Sequence, residues 1–71
     1  MRRAYIVKRV DIEDPRVYVF KNKSKVRSFI NIVIEDEGGV WLELVRLFKD
    51  EDDEKEFYEK CRQHENIILR I

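Results

Sequence analysis

Ser28-Phe29-Ile30-Asn31-Ile32-Val33-Ile34-Glu35 is the densest β-branched and aromatic run in the chain, and the fold turns on whether it is extended or coiled. Branched side chains lose rotamer freedom in a helix and pack well on a pleated surface, which favours a strand here. Asp36-Glu37-Gly38-Gly39 then supplies turn residues, and Val40-Trp41-Leu42-Glu43-Leu44-Val45-Arg46-Leu47-Phe48 is a second apolar run. Two such runs joined by a Gly-bearing loop predict a β-hairpin. With Glu37-Gly38-Gly39 as the loop and a glycine in the left-handed position, Ile34 faces Leu42 and Ile32 faces Leu44. Helical spacing competes: Val26, Phe29, Ile30, Val33 and Ile34 fit it, as do Val40, Trp41, Leu44, Leu47 and Phe48. The rival architecture is therefore a hairpin followed by three helices. The branched Ile-x-Ile-Val-Ile core, which contains no Ala, decides for strands.

Toward the N-terminus, residues 4–12 alternate. Ala4, Ile6, Val10 and Ile12 fall on one side, with Lys8 interrupting them, and Tyr5, Val7, Arg9 and Asp11 on the other, which predicts a strand. Glu13-Asp14-Pro15-Arg16 is a turn, because Pro fixes φ for the second turn position and Asp suits the first. Residues 17–20 form a second strand, with Val17 and Val19 opposite Tyr18 and Phe20, and Asn22-Lys23-Ser24-Lys25 is a polar connection. Toward the C-terminus, Asp50-Glu51-Asp52-Asp53-Glu54 places acids where a helix start needs them. Glu51/Lys55 and Glu56/Lys60 are stabilising pairs one turn apart, and Phe57, Cys61 and His64 share a face beside Tyr58, so residues 52–64 are helix. Residues 67–71 read as a short strand or a packing tail. The expectation is one α+β domain over residues 1–71: a four-stranded antiparallel sheet in the order β-β-β-β-α, one helix on one face, and a short C-terminal fifth strand as an option.

Composition excludes several classes. One cysteine rules out an internal disulfide, and a monomer lacks the Cys/His set of a structural zinc site. Cys61-x-x-His64 is at most half a zinc site or a nucleophile pair, and a cysteine on the inner face of a helix packs as a small apolar group. Asp50-x-Asp52-x-Glu54 mimics the start of a calcium loop, but the sixth and twelfth positions are Lys55 and Cys61 instead of Gly and Glu. Gly38-Gly39 lacks the Lys-Ser/Thr of a phosphate loop, and no Ser/His/Asp set is present. The chain reads as no enzyme, with no cofactor and no metal. Ala4-Tyr5-Ile6-Val7 is too short for a signal peptide and no run reaches a membrane span, so the expected location is cytoplasmic, without a membrane partner. Charged residues make up 42% of the chain while Gln, Thr, Ala, Cys and Met are scarce, a thermophile-like bias. A chain of 71 residues builds only a small core, which makes a homodimer as natural as a monomer.

Net charge is zero, but residues 1–27 carry nine basic and three acidic side chains (+6) and residues 28–71 six basic and twelve acidic (−6). Alternation puts Tyr5, Arg9, Arg16, Tyr18, Phe20, Arg27 and Phe29 on one sheet face and the aliphatic residues on the other. Aromatics among arginines suit single-stranded nucleic acid, since bases stack on rings while guanidinium groups hold phosphates. Tyr5, Tyr18, Phe20 and Phe29 are the candidate stacking groups; Arg9, Arg16, Lys23, Lys25 and Arg27 are the candidate phosphate contacts. The same rings suit equally a second buried face or a dimer interface. Trp41 reads as a core residue at the end of the hairpin. The order of elements resembles that of the Pur-repeat and coactivator-type single-strand binders, in topology over about residues 4–64. That resemblance implies a nucleic-acid-binding module that dimerises. The alternative is a protein-interaction or regulatory module that dimerises or docks an acidic partner through its basic half.

Overall fold

In a computed structural model that describes residues 2–71, the run opening the preceding section is helical. The element order is β1 (Arg3–Arg9), β2 (Val17–Phe20), α1 (Lys23–Asp36), β3 (Trp41–Leu47), α2 (Glu51–Arg62) and β4 (Ile67–Leu69). The strands form one sheet in the order β3-β1-β2-β4. β1 pairs antiparallel with both β2 and β3, but β2 and β4 run parallel, so the sheet is mixed and not purely antiparallel. The class is α+β with four strands, as expected, but with two helices instead of one. The fourth strand is Ile67–Leu69, the segment read above as a strand or a tail.

The hairpin does not form, and Ile32 and Ile34 do not face Leu44 and Leu42. Asn22 explains why a helix starts here instead: its side-chain oxygen accepts from the Ser24 N–H (2.9 Å) and the Ser24 hydroxyl (2.7 Å), an N-cap that uses the residues read as a loop. Val26 and Val33 are buried and Phe29 and Ile30 half-buried on the inner stripe, so burial overrides the branched residues' preference for strand. Glu37 and Gly38 N–H groups both donate to the Val33 carbonyl (2.8 and 3.1 Å), and Gly38 has φ 66°. The left-handed glycine thus ends a helix instead of turning a hairpin. With a helix in the third place, the topological resemblance to the Pur-repeat type does not hold.

α2 follows its sequence closely. Asp50 caps it by accepting from the Asp53 N–H (2.8 Å), and Lys60 pairs with Glu56 at 3.2 Å. Glu51 turns instead to Arg2 (3.4 Å), which also donates to Glu54 (2.7 Å).

Register fixes two half-cores. Tyr5 lies opposite Phe20 and Val7 opposite Tyr18, and this face packs with Val26, Phe29, Ile30 and Trp41 beneath α1. The other face brings Ala4, Ile6 and Val19 together with Phe48, Phe57, Tyr58, Cys61, Ile67 and Leu69 beneath α2. Tyr58 is buried and, among the described residues, its hydroxyl is the buried side-chain polar atom with no hydrogen-bond partner. Among the described residues no helix is long and apolar enough to cross a membrane.

Candidate interaction surface

The side-chain parity of β1 and β2 is as expected, but the aromatic face is not open. Phe20 is 2% and Tyr5 9% exposed, so neither can stack on a base while α1 is in place. Tyr18 is half-buried with its ring centroid 4.5 Å from that of Phe29, and Phe29 belongs to α1 and not to a strand. Trp41 meets Phe29 edge-on at 6.1 Å and donates its indole N–H to the Gly38 carbonyl (2.9 Å), a core role as expected. These five rings pack between α1 and the sheet.

The basic candidates scatter. Lys23, Lys25 and Arg27 are exposed on α1, and Arg16 is exposed just before β2. Arg9 instead grips Asp11 with two hydrogen bonds (2.9 and 2.7 Å). Its guanidinium lies against Gly39, where an added Cβ would stand 2.5 Å from Nε. Gly39, at φ 91°, thus combines a conformation and a close approach that other residues resist. The Arg9 hydrogen bonds, helped by backbone bonds that include Val40, hold the Asp11 carboxyl down to about 2. A depressed carboxylate contributes stability that is present above its unfolded value of about 3.9 and is lost as pH falls through the folded value. A carbon-detected titration of Asp11 should therefore show a midpoint near 2, moving into the usual carboxylate range in Arg9→Ala. A normal midpoint in the parent protein would remove the latch.

Cys61 is buried, which pushes its thiol up, whereas His64 is exposed. Among the described residues, no group of three or more His, Cys, Asp or Glu side chains is placed to hold a metal ion. An open groove of about 460 Å³ runs between α1 and the C-terminal residues, with Phe20 and Phe29 in its floor and Lys25 and Arg70 at its rim. Its polar lining is exposed side chain, which gives no built site for an anion.

What the sequence left unmarked is β3. It is an edge strand of seven residues in unbroken register with β1, from Arg3 opposite Leu47 to Arg9 opposite Trp41. Leu42 (39%), Leu44 (45%), Val45 (50%) and Leu47 (48%) are all exposed. Leu42 and Leu44 point to the α2 face and Val45 and Leu47 to the α1 face, yet α1 packs over β1 and β2 and α2 chiefly on β4. α1 meets β3 at Trp41 through Phe29, and α2 meets it through the Asp53–Arg46 pair (3.0 Å), while Leu42, Leu44, Val45 and Leu47 stay exposed. The signal was present in the sequence as apolar residues on both parities, broken only by Glu43 and Arg46. The run reads instead as the second strand of a hairpin, with Leu42 and Leu44 facing Ile34 and Ile32, a reading that does not mark it as an open edge.

The ladder also assigns the free backbone groups. Phe48 N–H donates to the Arg2 carbonyl (3.1 Å) and Val10 N–H to the Val40 carbonyl (2.9 Å), so the even-numbered residues of this ladder bond to β1. Trp41, Glu43, Val45 and Leu47 then direct their N–H and C=O groups outward. Natural edges are usually shortened, bulged, or protected by charged residues or Pro. β3 is neither short nor bulged and has no Lys or Pro, and Glu43 and Arg46 are its charges. β4, the opposite edge, is only three residues long and half-buried.

Comparison with protein-family models, with curated proteins and with solved structures finds no match for this chain.

Proposed function

We propose that this is a small protein-interaction module whose working surface is the open edge of β3, and that it binds by accepting an extended segment as an added strand. The observation that carries this is the coincidence, on one strand, of apolar side chains exposed on both faces with outward backbone groups that no strand pairs. Of those groups, among the described residues, the Leu47 carbonyl alone takes a side-chain bond, from Arg46 (3.0 Å). Backbone hydrogen bonds give such binding its affinity, and the alternating side chains on either side give its specificity. Tyr5 and Phe20 are buried beneath α1, so they offer no stacking platform to single-stranded nucleic acid unless α1 moves, whereas the β3 edge is open as it stands. Beside the exposed Lys23, Lys25 and Arg27, the partly open ring is Phe29, in the floor of the groove that Lys25 rims.

Val45→Pro isolates the edge. It deletes an outward donor and leaves the β1 ladder intact, because Pro is tolerated on an edge strand whose N–H faces solvent. Random nonapeptides selected on the immobilised protein and counter-selected on Val45→Pro should yield alternating apolar sequences. Their addition should shift the amide resonances of Trp41, Glu43, Val45 and Leu47. Peptides that bind both proteins equally, or shifts confined to α1, would refute strand addition.

A further inference from the structure

Resting on that assignment of the β3 edge, we infer that the strand it accepts is β3 of a second copy of this chain, antiparallel, with the two-fold axis at Leu44. Three observations select this occupant over an unrelated segment.

The first is area. The chain exposes 5400 Å², against roughly 4,700 Å² expected for a folded monomer of this mass. The excess of about 700 Å² approaches the ~800 Å² that each partner buries in a standard interface. The radius of gyration, 12.5 Å, likewise exceeds the roughly 11 Å expected for this length. A surplus of that size fits a half-interface that is uncovered in the single chain.

The second is self-complementarity. In an antiparallel pair, residues opposite one another share a face, so a two-fold axis passes through a residue facing its own copy. Centred on Glu43 or Arg46, the pairing would oppose like charges, which is unfavourable. Centred on Leu44, it opposes Leu44 to Leu44, Glu43 to Val45, Arg46 to Leu42 and Trp41 to Leu47. Each charge then meets an aliphatic residue, and the Arg46 stem can cover Leu42 while its head remains with Asp53 at 3.0 Å. This register also pairs the outward groups: Trp41 with Leu47 and Glu43 with Val45 are the hydrogen-bonded pairs, the Leu47 carbonyl exchanging its bond from Arg46 (3.0 Å) for one from Trp41, and Leu44 falls at the close non-bonded position. Centred on Val45, the partner of Trp41 would lie beyond the strand, at Lys49.

The third is net charge. At zero, no overall repulsion holds two copies apart. The result is a continuous eight-stranded sheet with β4 as its only free edge type. A seam of Leu42 and Leu44 runs along the α2 face and one of Val45, Leu47 and Trp41 along the α1 face.

Sedimentation equilibrium of the whole chain across a concentration series, at low and high salt, tests this. The expected result is a dimer of the 8.7 kDa chain whose affinity is insensitive to salt, since backbone and apolar contacts carry it. Leu44→Lys places two ammonium groups at the axis and should weaken it by about a hundredfold or more. Both Leu44→Lys and Val45→Pro should keep the parent's circular dichroism, as Leu44 is exposed and Val45 makes no ladder bond through its N–H. Amides of Glu43 and Val45 should exchange slowly in the parent and fast in Leu44→Lys, and the Glu43 amide should exchange fast in Val45→Pro, which has no N–H at 45. A parent that remains monomeric at millimolar concentration overturns the two-fold pairing while leaving strand addition to the peptide selection above. A dimer that survives both variants overturns the pairing by placing the interface elsewhere, and leaves the β3 edge to the peptide selection above. A dimer that dissociates as salt rises overturns the pairing in favour of docking between the basic and acidic halves.

Discussion

Phe20→Ala should lose about 3–5 kcal/mol of folding stability, the range for emptying a buried aromatic site. Phe20 is 2% exposed, sits opposite Tyr5 in the β1–β2 ladder, and lies 5.3 Å from Phe29, ring centre to ring centre. It therefore touches both strands and the helix that covers them, and no single neighbour can collapse into the space it leaves. A domain of this size has only about 5–15 kcal/mol in total, and most single small cores lie at the lower end. Urea titration followed by circular dichroism, and by the fluorescence of Trp41, should show the midpoint falling sharply. Trp41 is the only tryptophan and packs on the same cluster, so it reports this half-core directly. A Phe20→Ala protein of unchanged stability would show that the ring is exposed after all, and would restore the open aromatic face as a candidate binding surface.

Phe48→Ala should cause a loss of similar size, again about 3–5 kcal/mol, from the opposite side of the sheet. Phe48 is 3% exposed and holds Phe57 and Tyr58 at 5.3 and 5.9 Å between ring centres, with the Arg46 guanidinium carbon 5.5 Å from its own ring centre. Its N–H also extends the β3–β1 ladder by donating to Arg2, so it ties the start of α2 to the sheet. The informative readout is again Trp41, which lies on the other face. β1 and β2 supply residues to both clusters, so loss of one half-core should unfold both, and the Trp41 and circular dichroism transitions should coincide. A Trp41 transition unmoved by Phe48→Ala would mean that the two faces melt independently.

The contrast between the two helices shows what was legible in the sequence. α2 carries Glu51, Asp52, Asp53 and Glu54 in its first turn and Lys60 and Arg62 in its last, in agreement with the helix dipole, and its capping aspartate is where local chemistry requires it. Its stability is written locally, and so is its reading. α1 has the reverse arrangement, with Lys23 and Lys25 at its start and Glu35 and Asp36 at its end. Each end opposes the dipole, and the branched core disfavours helix as well. What holds it is the burial of Val26, Phe29, Ile30 and Val33 against β1 and β2, a tertiary fact that no window of neighbouring residues contains. The parity of β1 and β2 was legible because alternation is local. Which face was open was not, since it depended on α1. The parallel β2–β4 pairing depends on where two intervening crossings return the chain, and was equally out of reach. Of the proposed interaction surface, the residues were visible but their exposure was not, because an apolar run announces burial unless the covering elements are known.

β1 precedes its three sheet-mates in the chain yet lies in the middle of the finished sheet. Its partner on one side emerges from the ribosome soon after it, but the ladder on the other side waits until all of α1 has been synthesised. For that interval the nascent chain holds a two-stranded ribbon with Tyr5 and Phe20 uncovered, and α1, whose local preference is weak, is slow to shield them. Pausing within the codons for α1 would lengthen the exposure, and pausing after β3 would not. The same arrangement predicts unequal tolerance of trimming: removal of residues 67–71 strips one short margin, whereas cutting into β1 leaves β2 and β3 with no common partner.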